Sequence, residues 1–538
     1  MAAPMRVRAP RLCQICKCFP SSFLRCSSST TSKRKWEGVV GLEIHAQILA
    51  ESKLFSGACT KFGGTTNNQV SLFDAAFPGT LPAINRRCVE AGGQTALALN
   101  CQINKVSKFD RKHYFYADLP AGYQITQLRQ PLAKQGSLRF PILRGDISPK
   151  CPLDYMTVRL EQIQLEQDSG KSIHNEDDKQ SLIDLNRAGV GLMEIITAPD
   201  LSSGLESVSF LRELIGILTT VSTCNCKMEE GSFRVDANIS VHQPGEPLGT
   251  RVEVKNLNSI RSVKNAIDYE IRRQKQQLQQ GKQIINDTRS WDVSAGLTLP
   301  MRDKEIELDY RFMPEPNLPP LHVYDNTSIP AGLNPSQIVN IDVLQQQLPP
   351  LPAQQKQDLV TTYGLPELYA HRIEVKPGMR DYYKKVVEAR PKDPIYIAVR
   401  MMGELLGEMN KKKLEFNDIT CSPETFGEAC DLRKLNAMTT REFEKVVEDL
   451  LENPPSETHL NRIRKRLLMG SRDSDEQLES ICRQVLEDFE QGSHLKNAKL
   501  KRNPEKLLIF LAQQATKKSV EVRFVHARTV FKKLLNKE

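Results

Sequence analysis

The sequence predicts an α+β protein: a β-rich first domain with interspersed helices, then an all-helical domain, then a small helical tail module. Three observations carry this. From Val39 to about Pro320, short β-type runs alternate with Gly and Pro punctuation and two helical stretches. A Pro-rich seam follows, FMPEPNLPPLHV and then LPPLP near Leu348. From about residue 331 onward nearly every segment has helical period. The chain has 538 residues, which suits roughly three domains, and 39% hydrophobic residues can fill sizeable cores. We set the boundaries at 1–36 for a targeting segment, 37–320, 321–455 and 456–538.

The first domain opens with VVGLEIHAQI, where Leu42 and Ile44 alternate with Glu43 and His45. That is a period-2 strand whose polar face either meets solvent or lines a site. RVDANISVH and TRVEVKNL read as further strands. LSSGLESVSFLRELIGILTTV and SVKNAIDYEIRRQKQQLQQG read as helices, the second stopping at Gly281. Beyond the seam, MRDYYKKVVEA and PIYIAVRMMGELLGEMNKKKLEF repeat apolar residues every three or four positions. In the tail, Asn503 and Pro504 form a cap and first-turn pair before EKLLIFLAQQATKK.

Charge is unevenly spread. Residues 1–36 carry eight Lys or Arg and no acid; residues 496–538 carry twelve bases and three acids. The net charge of +9 therefore hides a body of net −8 between two basic ends. A basic tail on an acidic body fits a polyanionic partner such as tRNA, or a solvated helical face. The start is rich in Arg and Ser and free of acids, as mitochondrial transit peptides are. No window approaches the ~18 consecutive apolar residues of a membrane span. The 13 cysteines are odd in number and scattered, which suits free thiols in a reducing compartment.

Several motifs can be set aside. Gly170, Lys171 and Ser172 suggest a phosphate loop, but the position five residues earlier is Leu165 where a Gly is needed. Cys224 and Cys226 form a C-x-C with no second pair, which argues against zinc. What remains is a recurrence of acidic residues on β-type or turned segments: Glu43 and His45, Glu166 and Asp168, Glu229 and Glu230, Asp236, and Glu253. Carboxylates with a few water positions suit Mg²⁺, which bridges phosphates. KFDRKHYFYADLPAGYQITQ interleaves bases with aromatics, the pattern of a segment that stacks bases or holds phosphates, and equally of an ordinary edge strand.

KFDRKHYFYADLPAGYQITQ, LEQDSGKS, IDLNRAGVGLMEIITAPDL, KMEEGSFRVDANIS, EVKNLNS and DYRFMPEPNLPPL stand in the order of the GatB family, the B subunits of tRNA-dependent amidotransferases. The chain resembles that family densely over residues 38–320 and more loosely beyond. The resemblance implies a β-rich cradle, a helical domain and a tail that contacts tRNA. It implies ATP-dependent phosphorylation of the glutamate γ-carboxyl on Glu-tRNA(Gln), then displacement of phosphate by ammonia. It implies an amidase-type A subunit that supplies the ammonia from glutamine, a small C subunit, ATP and Mg²⁺; the transit-like start adds an expected residence in the mitochondrial matrix. By the same resemblance, Glu43, His45, Glu166 and Glu253 are candidate metal ligands, with Asp236 nearby. Lys112, Tyr114 and Tyr116 are candidates for holding phosphate or the terminal adenosine. Asp184, Asn186, Arg187 and Glu194 lie in the most diagnostic stretch; the first three are candidate nucleotide contacts or, equally, turn-forming residues. Some family members bind zinc through two Cys pairs before the PGxLP stretch. Here only Cys59 is present, so no zinc is expected. A tRNA-binding scaffold without catalysis is the alternative reading, disfavoured because the acidic and His set is intact.

Overall fold

The computed structural model describes residues 36–538 except 145–147, 150, 176–178, 302–310, 392, 436, 453–459, 465–474, 492–503, 519–523 and 536–538. The expected targeting segment, with Cys13, Cys16 and Cys18, and the basic stretch around Lys496, Lys499, Lys501 and Arg502 lie outside the described residues.

The strands are β1 (Glu37–Gln47), β2 (Gln102–Ile103), β3 (Val106–Ser107), β4 (Asp110–His113), β5 (Tyr123–Thr126), β6 (Ala133–Ile142), β7 (Asp154–Gln167), β8 (Lys171–Asn175), β9 (Gln180–Asp184), β10 (Gly191–Thr197), β11 (Phe233–His242), β12 (Val252–Leu257), β13 (Thr288–Asp292), β14 (Leu297–Pro300), β15 (Arg311–Pro314) and β16 (Leu321–His322). Nine of them form one sheet in the order β14-β13-β12-β11-β1-β10-β7-β6-β2. Its pairings are antiparallel except β12 with β13. A three-stranded sheet, β15-β4-β5, and the hairpin β8-β9 accompany it.

β1 sits mid-sheet and alternates between buried and half-buried positions along its whole length, as the sequence expects. Leu42, Ile44 and Ala46 enter the core, which is shared with the helices α1 (Arg86–Ala98), α2 (Gly204–Thr220) and α3 (Ile260–Gln279). Side-chain caps start all three, from Asn85, Ser203 and Ser259. α3 stops just before Gly281, whose φ of 74° ends it as read from the sequence. Helices α2 and α3 cross closely at Gly204, where a Cβ would stand 2.5 Å from the Lys264 carbonyl oxygen.

Among the described residues the apolar side chains form three cores. The first runs past 320, because Val323, Val339 and Leu344 pack back onto it and Leu344 lies over Gly93 of α1. The second spans Leu359 to Ile463, beyond 455. It is built from α5 (Pro352–Tyr363), after the short α4 (Ile341–Gln346), then α6 (Glu367–Val375), α7 (Met379–Ala389), α8 (Pro394–Arg400), α9 (Leu406–Lys412), α10 (Pro423–Lys434) and α11 (Thr440–Glu452). The third belongs to the tail helices α12 (Asp475–Gln491), α13 (Pro504–Lys518) and α14 (Phe524–Leu535). Pro504 opens α13, the first-turn position expected of it. Gly170–Ser172 lead into the β8 strand and not into a helix, so no phosphate loop forms there.

Candidate functional site: a carboxylate face on the central sheet

The helices cover one face of the main sheet. The other face gathers polar side chains from adjacent strands. On β1, Glu43, His45 and Gln47 point to it by alternation. Register carries the set sideways: Glu43 pairs with Asp236 of β11, and His45 with Glu194 of β10. Glu194 in turn pairs with Gln164 of β7, and Leu192 with Glu166. Residues almost 200 positions apart thus become neighbours on one surface.

His45 stands between two acidic groups. Its Nε2 lies 3.5 Å from Glu43 and 3.9 Å from Glu194. Ligand atoms of Glu43, His45 and Asp236 fall within 4.8 Å of one another, and so do those of His45, Glu166 and Glu194. Glu166 is almost fully buried, and its Oε2 has no hydrogen-bond partner. A buried carboxylate oxygen without a donor is costly unless a cation or water completes it.

Electrostatics split the acids. Burial, with Glu166 and Glu43 close by, pushes Glu194 well above the usual carboxylate range. Burial also pushes Glu43 up, but a hydrogen bond from Glu194 and the charges of His45, Lys112 and Lys255 outweigh it and leave Glu43 below its ordinary value. The two carboxyl groups thus titrate as a linked pair whose values are driven apart. Burial raises Asp236, with Glu43 adding to it against His45 and Lys255.

Lys112 lies on β4, opposite Gln124 and Phe312 in the three-stranded sheet, within electrostatic reach of Glu43 and Glu194. Tyr114 and Tyr116 follow in the loop after β4, their rings edge to face at 5.5 Å. Glu253 stands apart from both close groups. It meets Lys255 at 3.0 Å and Thr288 at 3.2 Å, one strand beyond Asp236. The four expected ligands thus do not form one set among the described residues; three enter the two groups that share His45, and Glu253 enters neither.

Asp184, Asn186 and Arg187, expected as nucleotide contacts, spend their polar atoms within the protein. Asp184 accepts from the backbone N–H groups of Asn67 and Asn186, at 3.2 and 3.0 Å. Asn186 accepts from the Gln69 N–H at 2.9 Å and donates to the Thr65 carbonyl at 2.8 Å. Arg187 donates to the carbonyls of Ser169 and Gly170 and flanks Asp168 at 3.6 Å. Together they fasten the 64–69 loop to the turn after β9. Asp168 is a buried hub bonded to Arg234 at 2.9 Å and Gln47 at 3.0 Å, which hold it well ionised despite burial. At Gly189, with φ of 83°, a Cβ would stand 2.7 Å from Asp74, whose carboxylate pairs with fully buried Lys53 at 3.1 Å. A cavity of about 310 Å³ lies beside this hub, lined by Phe77, Leu119, Tyr123, Gln167 and Asp168. It adjoins the carboxylate face, and no member of the two close groups lines it.

Three contributors were not assigned from the sequence: Glu194 as a ligand candidate, Lys255 and Gln164. Gln164 donates to Glu194 and, at 3.2 Å, to the Thr126 hydroxyl, while its own oxygen accepts from Gln162 at 2.6 Å. The signal for Glu194 was present: one acid inside the apolar run GLMEIIT. Nothing local marks Gln164 or Lys255.

Fold and site together define a protein that gathers a carboxylate cluster around one histidine on the helix-free face of a largely antiparallel cradle, with helical domains appended. Residues 38–328 match the GatB/GatE catalytic domain and residues 381–534 match the GatB domain. The chain belongs to the GatB family. It is 47% identical over 491 residues to the human mitochondrial B subunit of glutamyl-tRNA(Gln) amidotransferase, covering 90% of this chain and 86% of the relative. It is 48% identical over 451 residues to the corresponding mitochondrial protein of Danio rerio, covering 84% and 81%. It is 41% identical over 418 residues to the B subunit of the aspartyl/glutamyl-tRNA(Asn/Gln) amidotransferase of Rickettsia rickettsii, covering 78% and 82%.

Proposed function

We propose that this chain is the B subunit of a mitochondrial-matrix glutamyl-tRNA(Gln) amidotransferase and that its cradle carries the ATP-dependent half of the reaction. The names of its relatives supply the substrate class, and the carboxylate face supplies the chemistry. A carboxylate is a poor electrophile. ATP therefore transfers its γ-phosphoryl group to the glutamate γ-carboxyl of Glu-tRNA(Gln), and ammonia displaces the phosphate to leave Gln-tRNA(Gln). The ammonia comes from glutamine hydrolysed by an amidase-type A subunit, with a small C subunit in the same complex.

The single observation behind the reading is the orphaned Glu166 Oε2 inside a cluster of acids around His45. Oxygen-rich sets of this kind suit Mg²⁺. His45, Glu166 and Glu194 would hold one ion, and Glu43, His45 and Asp236 face a second position beside it, with Glu253 further out. When bound, Mg²⁺ neutralises charge on the triphosphate and the transferring group. Lys112 adds positive charge above the cluster, where a phosphate oxygen would gain from it. Tyr114 and Tyr116 offer ring faces for the terminal adenosine. Asp184, Asn186 and Arg187 support the site by anchoring its neighbouring loop, and reach nucleotide only if that loop opens.

The test is Glu43→Gln and His45→Ala in the assembled complex, assayed for ATP cleavage and Gln-tRNA formation. Both activities should collapse while assembly and tRNA binding persist. Near-normal rates would leave these residues as ordinary strand positions. A second measurement addresses the tail: deleting 496–538 removes a net +9, and tRNA binding should weaken with a shallower salt dependence. An unchanged salt slope would make the tail a solvated face.

A further inference from the structure

The anchored arginines of the cradle differ in how they spend their nitrogens. Arg111 closes Nε and Nη2 on Glu315, at 2.6 and 3.0 Å, and Arg159 closes the same two on Asp200, at 3.0 and 2.6 Å. Arg129 closes on Asp110 in the same way. Each of these forks is filled by one carboxylate of the fold. Arg234 on β11 is tied by one nitrogen alone: its Nη2 donates to Asp168 at 2.9 Å. Its Nε and Nη1 have no protein partner among the described residues, and the side chain is 25% exposed. A guanidinium has two two-pronged edges, and both include Nη2. Whichever Nη2 hydrogen Asp168 takes, one complete edge stays free. The anchor itself is rigid, because buried Asp168 also accepts from Gln47 at 3.0 Å and from the Ser169 N–H at 2.9 Å.

Arg234 belongs to the face that carries the acids. Alternation sets Arg234 and Asp236 half-buried on one side of β11, between buried Phe233, Val235 and Ala237. Register places Arg234 directly opposite His45, which stands opposite Glu194 on its other side. The guanidinium is within electrostatic reach of Asp236 and Glu166. Glu166 Oε2 is nevertheless buried without a donor, so the free nitrogens do not serve it. A cation with open donors therefore borders acids that a metal ion would complete. A ligand with several oxygens on one centre can satisfy both the ion and the fork.

We propose that Arg234 is a binding residue for an oxyanion of the reactants, gripped through its free two-pronged edge while Asp168 holds Nη2. The inference rests on the ATP-dependent reading of the cradle. That reaction brings two oxyanions to the cluster, the γ-phosphate of ATP and the γ-carboxylate of the esterified glutamate that attacks it. Both offer paired oxygens that match a guanidinium edge, whereas a lysine supplies a point charge without the fork. The ion pair with Asp168 offsets much of the positive charge, so Arg234 contributes orientation more than long-range attraction.

The test compares the assembled wild-type complex with Arg234→Lys, which keeps a cation for Asp168 and loses the fork. Calorimetry measures the affinity for a non-hydrolysable ATP analogue and for ADP. Amidation is followed against Glu-tRNA(Gln) concentration, with uncharged tRNA binding as the control. If the γ-phosphate is the ligand, affinity for the ATP analogue falls about 10-fold and ADP affinity holds. If the γ-carboxylate is the ligand, both nucleotides and uncharged tRNA bind as before, and the KM for Glu-tRNA(Gln) rises about 10-fold. Either result supports the proposal. Wild-type values throughout would overturn it, and so would an equal loss for the analogue, ADP and uncharged tRNA, the mark of a purely structural ion pair. Should the unfolding midpoint of Arg234→Lys fall, Arg234→Gln combined with Asp168→Asn removes both charges together and is read by the same outcomes. A wild-type complex that binds no ATP analogue and forms no Gln-tRNA fails the ATP-dependent reading itself, and this proposal with it.

Discussion

On the helix-free face of the main sheet, Glu43, Glu166, Glu194 and Asp236 crowd around His45; on α6 of the helical region, His371 and Glu374 stand one turn apart. Both places bury ionisable groups and both leave a polar atom without a partner: Glu166 Oε2 in one, His371 Nδ1 and Glu374 Oε2 in the other. The α6 pair resolves its burial by giving up charge. Burial, with Lys356, Arg212 and Arg372 nearby, takes His371 down to about 4, and burial takes Glu374 up to about 7. The cradle acids are too many for that. Burial, with Glu166 and Glu43 close by, pushes Glu194 up, while the hydrogen bond from Glu194 and the charges of His45, Lys112 and Lys255 draw Glu43 down. Glu374 has Arg380 at 3.5 Å as its one ion-pair partner among the described residues, whereas the cradle acids face one another around one histidine, the arrangement that the proposed Mg²⁺ would complete.

The sharpest way to break this contrast is Glu166→Gln. Mg²⁺ binding measured by calorimetry should be lost, and ATP-dependent amidation should drop at least about 100-fold, on the scale of several kcal/mol of charge stabilisation. The unfolding midpoint of the metal-free protein should stay level or rise, because a buried carboxyl oxygen without a partner has been removed. Intact Mg²⁺ binding with a lowered midpoint would make Glu166 an ordinary buried residue.

The α6 pair should respond to pH and not to Mg²⁺. The folded value of Glu374 lies above its ordinary 4.5, so its contribution to stability is complete below about pH 4.5 and is lost as pH rises through about 7. The folded value of His371 lies below its ordinary 6.5, so its contribution is complete above about pH 6.5 and is lost as pH falls through about 4. Each swing is at most about 3.4 kcal/mol, and the two nearly cancel in the native protein. Denaturation of the helical region should therefore show a stability that falls from pH 4.5 to 7 in His371→Asn and rises from pH 4 to 6.5 in Glu374→Gln. Parallel profiles in both variants would show that neither group titrates as placed.

The smallest effect concerns orientation within the cluster. Gln164→Leu removes the amide that ties Glu194 to Thr126. Mg²⁺ affinity should weaken about 10-fold, the size expected when a partner that orients a ligand is lost. At saturating Mg²⁺ the amidation rate should largely recover. A rate loss that extra Mg²⁺ does not relieve would assign Gln164 to the reacting groups themselves.

How much of this was legible follows from the range of each interaction. The alternation in VVGLEIHAQI placed Glu43 and His45 on one face, and the break at Gly281 closed α3, because both are local backbone effects. The seam near 320 was visible, but the core runs on to Leu344, since packing against Gly93 is a contact across 251 residues of chain that no local pattern records. The family resemblance identified the acidic set as a group. It did not separate Glu253, which Lys255 holds one strand away, from Glu194, which register sets against His45.

Composition and periodicity alone determined the α+β class, the order of β-rich and helical regions, and the polar strand that begins the cradle. Those features rest on side-chain alternation, helical spacing and turn residues, all of which act over a few positions. Tertiary structure alone decided which acids touch. Strand register brings Asp236, Glu194, Glu166 and Gln164 beside a histidine far away in sequence, and one residue of slip would turn each of them to the other face. Burial then sets which carboxyl keeps its proton, because desolvation depends on what packs around a group and not on its neighbours in the chain.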